Sequence, residues 1–335
     1  MSCACTASGR ILLKRLCCVA LSLAATIVVL LLAELAVRCA MPQVNLQDTQ
    51  RSLLRDRAYG QSVGWQPDVQ GISFGQVVQI DAQGFRDLSG PKHADRSWIL
   101  LGDSIAFGVG VNAEATFAGL LQARFPRVAI RNTAVIGYNV ENYRDVLRSL
   151  LAAGKPPDHV LLFYCLNDIY GYFNRLPEDD SAWQKCLGLL RRNSKLYVVA
   201  KDVLTDRSKS YFTYDRVFYS DNQAVERAVD MLDEIHRMTS KAGSDLTVVI
   251  MPYEYQIRNP EPASLEPQRV LRRQLEAKHI AYLDALDWFR NSGQDSRAFY
   301  LYGDPMHLSR QGHTTLFEHL IDALPFTHGT KGTGP

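Results

Sequence analysis

Three side chains in this sequence have the types and positions that could open an ester. Ser104 lies in GDSIAFG, 102–108, directly after the apolar run WILL, 98–101. Asp304 and His307 stand three apart in GDPMHLSRQGH, 303–313. A serine hydroxyl is almost wholly protonated at neutral pH, so attack on a carbonyl needs a base within hydrogen-bond reach; histidine, with an ordinary pKa of about 6.5, suits that task. An aspartate beside it would accept the other ring N–H, select the tautomer and stabilise the imidazolium. The tetrahedral adduct also needs donors for its oxyanion. Candidates are the N–H of Ser104 at a helix start, the N–H of Gly137 in AVIGYN, 134–139, and the side-chain amide of Asn167 in CLND, 165–168.

Taken singly, each residue has a plainer reading. A serine in GDS is usually a turn residue, Gly137 a turn glycine, and Asn167 a cap or Asx-turn residue. Their order along the chain and their places at strand ends favour the chemical reading. Asp168 is expected to fix the loop beside Asn167, and His313 to cap or pack the last helix. Tyr253 and Glu254, in MPYEY at 251–255, are expected at the site rim without an assigned role. His159, His236 and His279 lack metal-ligand spacing and no HExxH occurs, so no metal is expected. GVGVNA, 108–113, formally matches GxGxxA, but it starts too far past its strand and has Arg131 where an acidic ribose ligand would stand. No cofactor is expected.

The elements that must position these residues follow an alternating rhythm. Short apolar runs at 97–101, 128–134, 159–166, 246–251 and 280–285 read as five strands. Between them, Phe117, Leu120, Leu121 and Phe125 mark a helical face, and so do Tyr143, Leu147, Leu150 and Leu151, with Asn139 as a candidate cap. A stripe of Val225, Ala228, Val229, Leu232, Ile235 and Thr239 marks another helix, a further one is predicted over 266–278, and a last begins near Ser309. Strands alternating with helices predict a parallel sheet covered on both faces. In such sheets the site lies at the carboxyl ends of the strands, where the strand order reverses.

With these blocks assembled, the chain resembles the SGNH (GDSL-type) hydrolase superfamily. GDSIAFG resembles its serine block, AVIGYN its glycine block, LND its asparagine block and DPMHLSRQGH its histidine block, over residues ~95–325. IDAQGFRD, 80–87, is similar to a string found before the serine block in membrane-anchored relatives. Ile105 stands where GDSL has leucine, and Cys165 where the third block usually has glycine, a change that would narrow the pocket or shift Asn167. The resemblance implies a three-layer α/β/α, flavodoxin-like fold with a parallel sheet of about five strands. It implies Ser104 as nucleophile, His307 and Asp304 completing a triad, and Gly137 and Asn167 joining the Ser104 N–H in the oxyanion hole.

Composition bounds the rest. At 335 residues, 47% hydrophobic and 21% charged, the chain is of ordinary globular make-up. A net charge of +2 without a long basic tract gives no reason to expect nucleic-acid binding. The N-terminus departs from the average: at ~1.5 Å per residue, the apolar stretch 16–37 makes a helix of roughly 33 Å, enough to cross a membrane. A cleaved signal peptide would have a shorter core and a small residue where Arg38 stands, and Arg38 before Cys39 is a poor lipobox. Arg10, Lys14 and Arg15 keep the preceding end inside. The expected organisation is a cytoplasmic 1–15, a single membrane span at 16–38, and a juxtamembrane lead-in at 39–94 with one or two small strands. A hydrolase domain follows at 95–325, periplasmic or extracellular, then a tail at 326–335. An insert at 170–223 carries ten aromatic residues, from Tyr170 to Tyr219, which would line a sugar or acyl groove or, the favoured reading, pack a helical cap on the core. Cys165 and Cys186 are the only cysteines in the exported part, and a disulfide between them is open.

Location and resemblance together point to a serine esterase acting on an O-acetyl or other short acyl ester, carried on an envelope or secreted glycan. Polysaccharide O-acyltransferase, lysophospholipase or thioesterase activity are alternatives within the same chemistry. A non-catalytic glycan-binding assembly subunit is the alternative outside it, and it would have no use for all five residues.

Overall fold

A computed structural model describes residues 4–154, 156–169 and 181–324, with side chains from residue 12 onward. The expected tail, and Tyr170, Tyr172 and Phe173 of the insert, lie outside these residues. The chain opens with an unbroken helix, α1 (Ala4–Ala40), whose portion Leu12–Ala40 is long and apolar enough to cross a membrane. The lead-in then forms two antiparallel hairpins, β1 (Leu54–Tyr59) with β2 (Ser62–Trp65), and β3 (Gln70–Ser73) with β4 (Gln76–Gln79). Four strands here exceed the one or two expected. β1 carries three charges in six residues, so it lacks the apolar alternation that marks a strand.

The alternating part follows as β5 (Arg96–Leu101), α2 (Ser104–Phe107), α3 (Phe117–Arg124), β6 (Val128–Asn132), α4 (Val140–Ala152) and β7 (His159–Tyr164). After the insert helices α5 (Ala182–Asn193), α6 (Lys195–Leu204) and α7 (Arg207–Arg216) come α8 (Asn222–Lys241), β8 (Asp245–Ile250), α9 (Glu254–Arg258) and α10 (Glu266–Ala277). The chain closes with β9 (Tyr282–Asp284), α11 (Leu286–Arg290) and α12 (Arg310–Ala323).

All five core strands are parallel, in the order β6-β5-β7-β8-β9. The central β7, HVLLFY, is buried along its whole length, as a strand covered on both faces must be. α4, α8 and α10 pack together on one side, and α3, α11 and α12 are linked on the other. The α8 stripe from Val225 to Thr239 is buried as its spacing predicts. Asn139 caps α4, accepting from the Glu141 N–H at 3.0 Å, while Ser309 caps α12.

β6 ends two residues before the expected 134, because Asn132 turns the chain: its side chain donates to Ala106 O at 2.9 Å and accepts from the Ala134 N–H. His313 packs rather than caps. It is fully buried, with its ring 5.7 Å from that of Phe117. Cys165 is buried, Cys186 is exposed, and both are free thiols.

Candidate active site

Ser104 is held by constraints on either side of it. At Gly102 a Cβ would lie 2.4 Å from that of Ala106, so no other residue fits between the end of β5 and the start of α2. Asp103 then caps α2, its Oδ1 accepting from the Ile105 N–H at 2.8 Å. The Ser104 N–H falls in the first turn, where no intrahelical carbonyl reaches it. The far end of this four-residue helix leaves carbonyls open, and Arg86 from the lead-in satisfies them: buried, it donates to the carbonyls of Phe107, Gly108 and Val111. Burial lowers its guanidinium pKa to about 10, so Arg86 stays cationic at neutral pH.

His307 and Asp304 come from the loop before α12, which closes on itself through Leu301 N–H to His307 O at 2.9 Å. Asp304 Oδ1 accepts the N–H groups of Met306 and His307, each at 3.1 Å. Its Oδ2 faces His307 Nδ1 at 2.7 Å, and His307 Nε2 faces Ser104 Oγ at 2.8 Å. A carboxylate only accepts, so the ring proton sits on Nδ1 and the bare Nε2 accepts from Ser104. For Asp304, burial pushes the pKa up, but the facing imidazolium charge and the hydrogen bonds outweigh it and bring it down to about 2. For His307, burial pulls the pKa down, yet the Asp304 carboxylate outweighs that and the net shift is upward.

Gly137 and Asn167 follow β6 and β7, on either side of β5, so the three loops share the rim where the strand order reverses. The Gly137 loop is tied to the serine turn by Val135 N–H to Gly102 O at 3.3 Å. Gly137 has φ +80°, and a Cβ there would meet no atom within 4 Å. Its glycine is therefore required by conformation, with open space beside it. Asn167 sits in the turn after β7, where its Oδ1 is buried with no hydrogen-bond partner among the described residues. Asp168 fixes that turn as expected: its Oδ2 accepts the Cys165 N–H and the Tyr143 hydroxyl, both at 2.8 Å. Cys165 is fully buried and burial pushes its thiol pKa well up, leaving it a neutral packing group.

Several residues at the site carry no sequence signal. Gln47 Nε2 donates to Asp304 Oδ2 at 3.0 Å, and its Oε1 faces an Arg207 nitrogen at 3.5 Å. Phe74 packs edge-on to the His307 ring at 5.1 Å. Arg86 lay in the quoted IDAQGFRD string, whereas Gln47 and Phe74 sit in loops where only the tertiary fold gives them partners.

Tyr253 is turned away from the expected rim position: it is buried and donates to Asp215 of α7, tying the insert to the core. Burial raises the Asp215 pKa to about 7. Glu254 instead lines a cavity of about 210 Å³ with Asp202, Arg207, Arg297 and Tyr302, which borders Asp304 but neither Ser104 nor His307. Among the described residues, no group of three or more His, Cys, Asp or Glu could hold a metal ion.

A serine hydroxyl against a carboxylate-oriented imidazole, on the rim of a doubly wound parallel sheet, is the arrangement of a serine hydrolase. The chain belongs to the GDSL-like lipase/acylhydrolase family, whose profile matches residues 100–315. No curated protein sequence matches it significantly.

Among solved structures, it is similar to TesA at 14% identity, covering 69% of this chain and 99% of that one, with a TM-score of 0.45. It is also similar to Axe2, an acetylxylan esterase from Geobacillus stearothermophilus, at 13% identity over 69% of this chain and 94% of that one, TM-score 0.44. A G-D-S-L family lipolytic protein from Veillonella parvula matches at 14% identity over 68% and 97%, TM-score 0.42.

Proposed function

We propose that this protein is a membrane-anchored serine esterase that removes an O-acetyl or other short acyl group from an envelope or secreted glycan. The reading is carried by the hydrogen-bonded chain Ser104–His307–Asp304, with links of 2.8 and 2.7 Å. Ser104 Oγ attacks the acyl carbon while its proton passes to His307 Nε2, and Asp304 stabilises the imidazolium. The oxyanion is held by the N–H groups of Ser104 and Gly137 and by the Asn167 side-chain amide. The C–O bond to the sugar breaks as His307 returns the proton to the departing oxygen. Water, deprotonated by His307, then attacks the acyl-enzyme and frees the acid.

The helix over residues 16–38 is the anchor, with the basic residues before it inside and the domain from 95 to 325 outside. This orientation supports a glycan substrate, because envelope and secreted glycans lie on that side of the membrane. The test uses the full chain in detergent, with a fluorophosphonate probe and an acetylated oligosaccharide. Wild type is expected to label and to release acetate with loss of acyl mass from the sugar, and Ser104→Ala to do neither. Equal labelling in the two would remove Ser104 as nucleophile, and acyl gain by an added acceptor would make the enzyme a transferase.

A further inference from the structure

The insert helix α5 carries an apolar stripe that none of the described residues buries. Trp183, Cys186, Leu187 and Leu190 fall at i, i+3, i+4 and i+7, the spacing that puts them on one face. Yet no residue of α5 is buried, and Trp183 is 67% and Leu190 40% exposed. The charges on α5 are Lys185, Arg191 and Arg192, with no acid. An apolar stripe with a tryptophan and a wholly basic charge set is the composition of a helix lying in an anionic lipid interface.

What covers this face follows from how α5 is attached. The turn between α5 and α6 is gripped by α1. Glu34 accepts from the Ser194 hydroxyl at 2.8 Å and from the N–H groups of Lys195 and Leu196 at 3.0 and 2.9 Å. Arg38 pairs with Glu34 at 2.7 Å and donates to Asn193 O, the last residue of α5, at 2.7 Å. Glu34 lies six residues before Ala40, the last residue of α1, or ~9 Å down the helix at ~1.5 Å per residue. The apolar stretch of α1 closes at Val37, so this grip falls at the outer edge of the hydrocarbon.

We propose that α5 is a membrane-interface helix: its Trp183–Leu190 stripe rests in the outer leaflet beside α1, with Lys185, Arg191 and Arg192 at the headgroups of anionic lipid. The proposal rests on α1 being an uncleaved membrane anchor. The insert is then a floor fixed to the bilayer rather than a free lid. It reaches the site through α6 and the start of α7, where Asp202 and Arg207 line the cavity beside Asp304 and Arg207 donates to Gly303 O. Such a floor suits an acyl donor or acceptor held close to the lipid surface.

The test reads depth in the full chain, reconstituted in vesicles of phosphatidylcholine and phosphatidylglycerol. With the five N-terminal cysteines replaced by Ser, an environment-sensitive thiol dye attaches at Cys186, since Cys165 is fully buried. Shallow nitroxide lipids are expected to quench the dye, aqueous iodide is not, and the depth should read ~5–10 Å below the headgroup plane. A second sample, the same cysteine-depleted chain with Leu23→Cys and Cys186→Ser, reports on α1 alone.

Lipid quenching at 23 with iodide quenching at 186 would leave the anchor and overturn the interface helix. Protection at 186 from both quenchers would mean that protein covers the stripe, and would also overturn it. Iodide quenching at 23 would remove the anchor and the proposal with it. Replacing Lys185, Arg191 and Arg192 by Glu should raise iodide quenching at 186 while leaving position 23 unchanged; no change at 186 would refute the role of anionic lipid.

Discussion

Replacing Asp304 by Asn changes one atom, and the hydrogen bonds around it dictate what must follow. In the native site Oδ1 accepts two backbone N–H groups at 3.1 Å, and Oδ2 accepts His307 Nδ1–H and Gln47 Nε2–H. Every partner is a donor, so the new amide NH₂ has to face donors wherever it points. Placed toward the backbone, it would leave two buried N–H groups unpaired, at ~1–3 kcal/mol each. Placed toward His307, it needs the neutral imidazole to move its proton to Nε2 and Gln47 to turn its amide, which gives up the long 3.5 Å contact of its Oε1 with Arg207 but leaves no buried backbone N–H unpaired. The second arrangement therefore prevails, and it puts a proton on the ring nitrogen that should receive the one from Ser104.

A histidine held in the wrong tautomer costs ~10⁴ in rate in triads of this kind, about 5.4 kcal/mol at ~1.36 kcal/mol per decade. Asp304→Asn is thus expected to lower kcat/KM for acetyl-ester hydrolysis by ~10⁴, with fluorophosphonate labelling slowed in parallel. The pH profile gives an independent reading. Only neutral His307 is a base, so the rate falls as pH drops through its pKa. In wild type the Asp304 carboxylate raises that pKa, placing the acidic limb above about 6.5. In the variant the carboxylate charge is gone while burial remains, so the residual activity should have its limb below that of wild type. Activity within about tenfold of wild type, or an unshifted limb, would refute the tautomer argument.

Asn167→Ala separates catalysis from folding: its Oδ1 has no hydrogen-bond partner among the described residues, so kcat should fall ~10²–10³ with the melting temperature unchanged, and a matching loss of stability would make Asn167 structural. Arg86→Met removes the donor from three carbonyls, at ~1–3 kcal/mol each, so urea unfolding should show a loss of about 3 kcal/mol or more. An unchanged denaturation midpoint would mean that water replaces the guanidinium at no cost.

How far the sequence could be read depended on how local each constraint was. The α8 stripe and the continuous β7 run carry their burial in their own spacing, and the Asn139 cap needs only the residues that follow it, so these were legible. The serine, glycine, asparagine and histidine blocks could be placed because each follows or precedes a recognisable element. Gln47 and Phe74 could not, since a glutamine in an irregular segment or a phenylalanine in a hairpin turn gains meaning only from a partner more than two hundred residues away. β1 is not legible because its charges hide the strand pattern. The place of Tyr253 after β8 points to the site, but the buried Asp215 carboxylate takes its hydroxyl.

These long-range partners alter what the lead-in is for. A spacer between membrane and enzyme would need only length and polarity, and its contacts with the core could be generic. Here it supplies Gln47 to the carboxylate that orients His307, Phe74 to the imidazole ring, and Arg86 to the carbonyls that end the serine helix. Each of the two halves of the Ser104–His307 pair is thus held by a residue that precedes the sheet in the chain. The end of β5 and the loop before α12 bring the two halves onto one rim, but a hydrogen bond of 2.8 Å between side chains 203 residues apart demands finer placement than these elements alone give. The lead-in provides it, and through Pro42 O, which accepts from Lys195 of α6, the same segment also meets the insert where α1 grips it. α1, the insert, the lead-in and the Asp304 loop are therefore joined by one run of hydrogen bonds, from Glu34 on Ser194 through Lys195 on Pro42 O to Gln47 on Asp304.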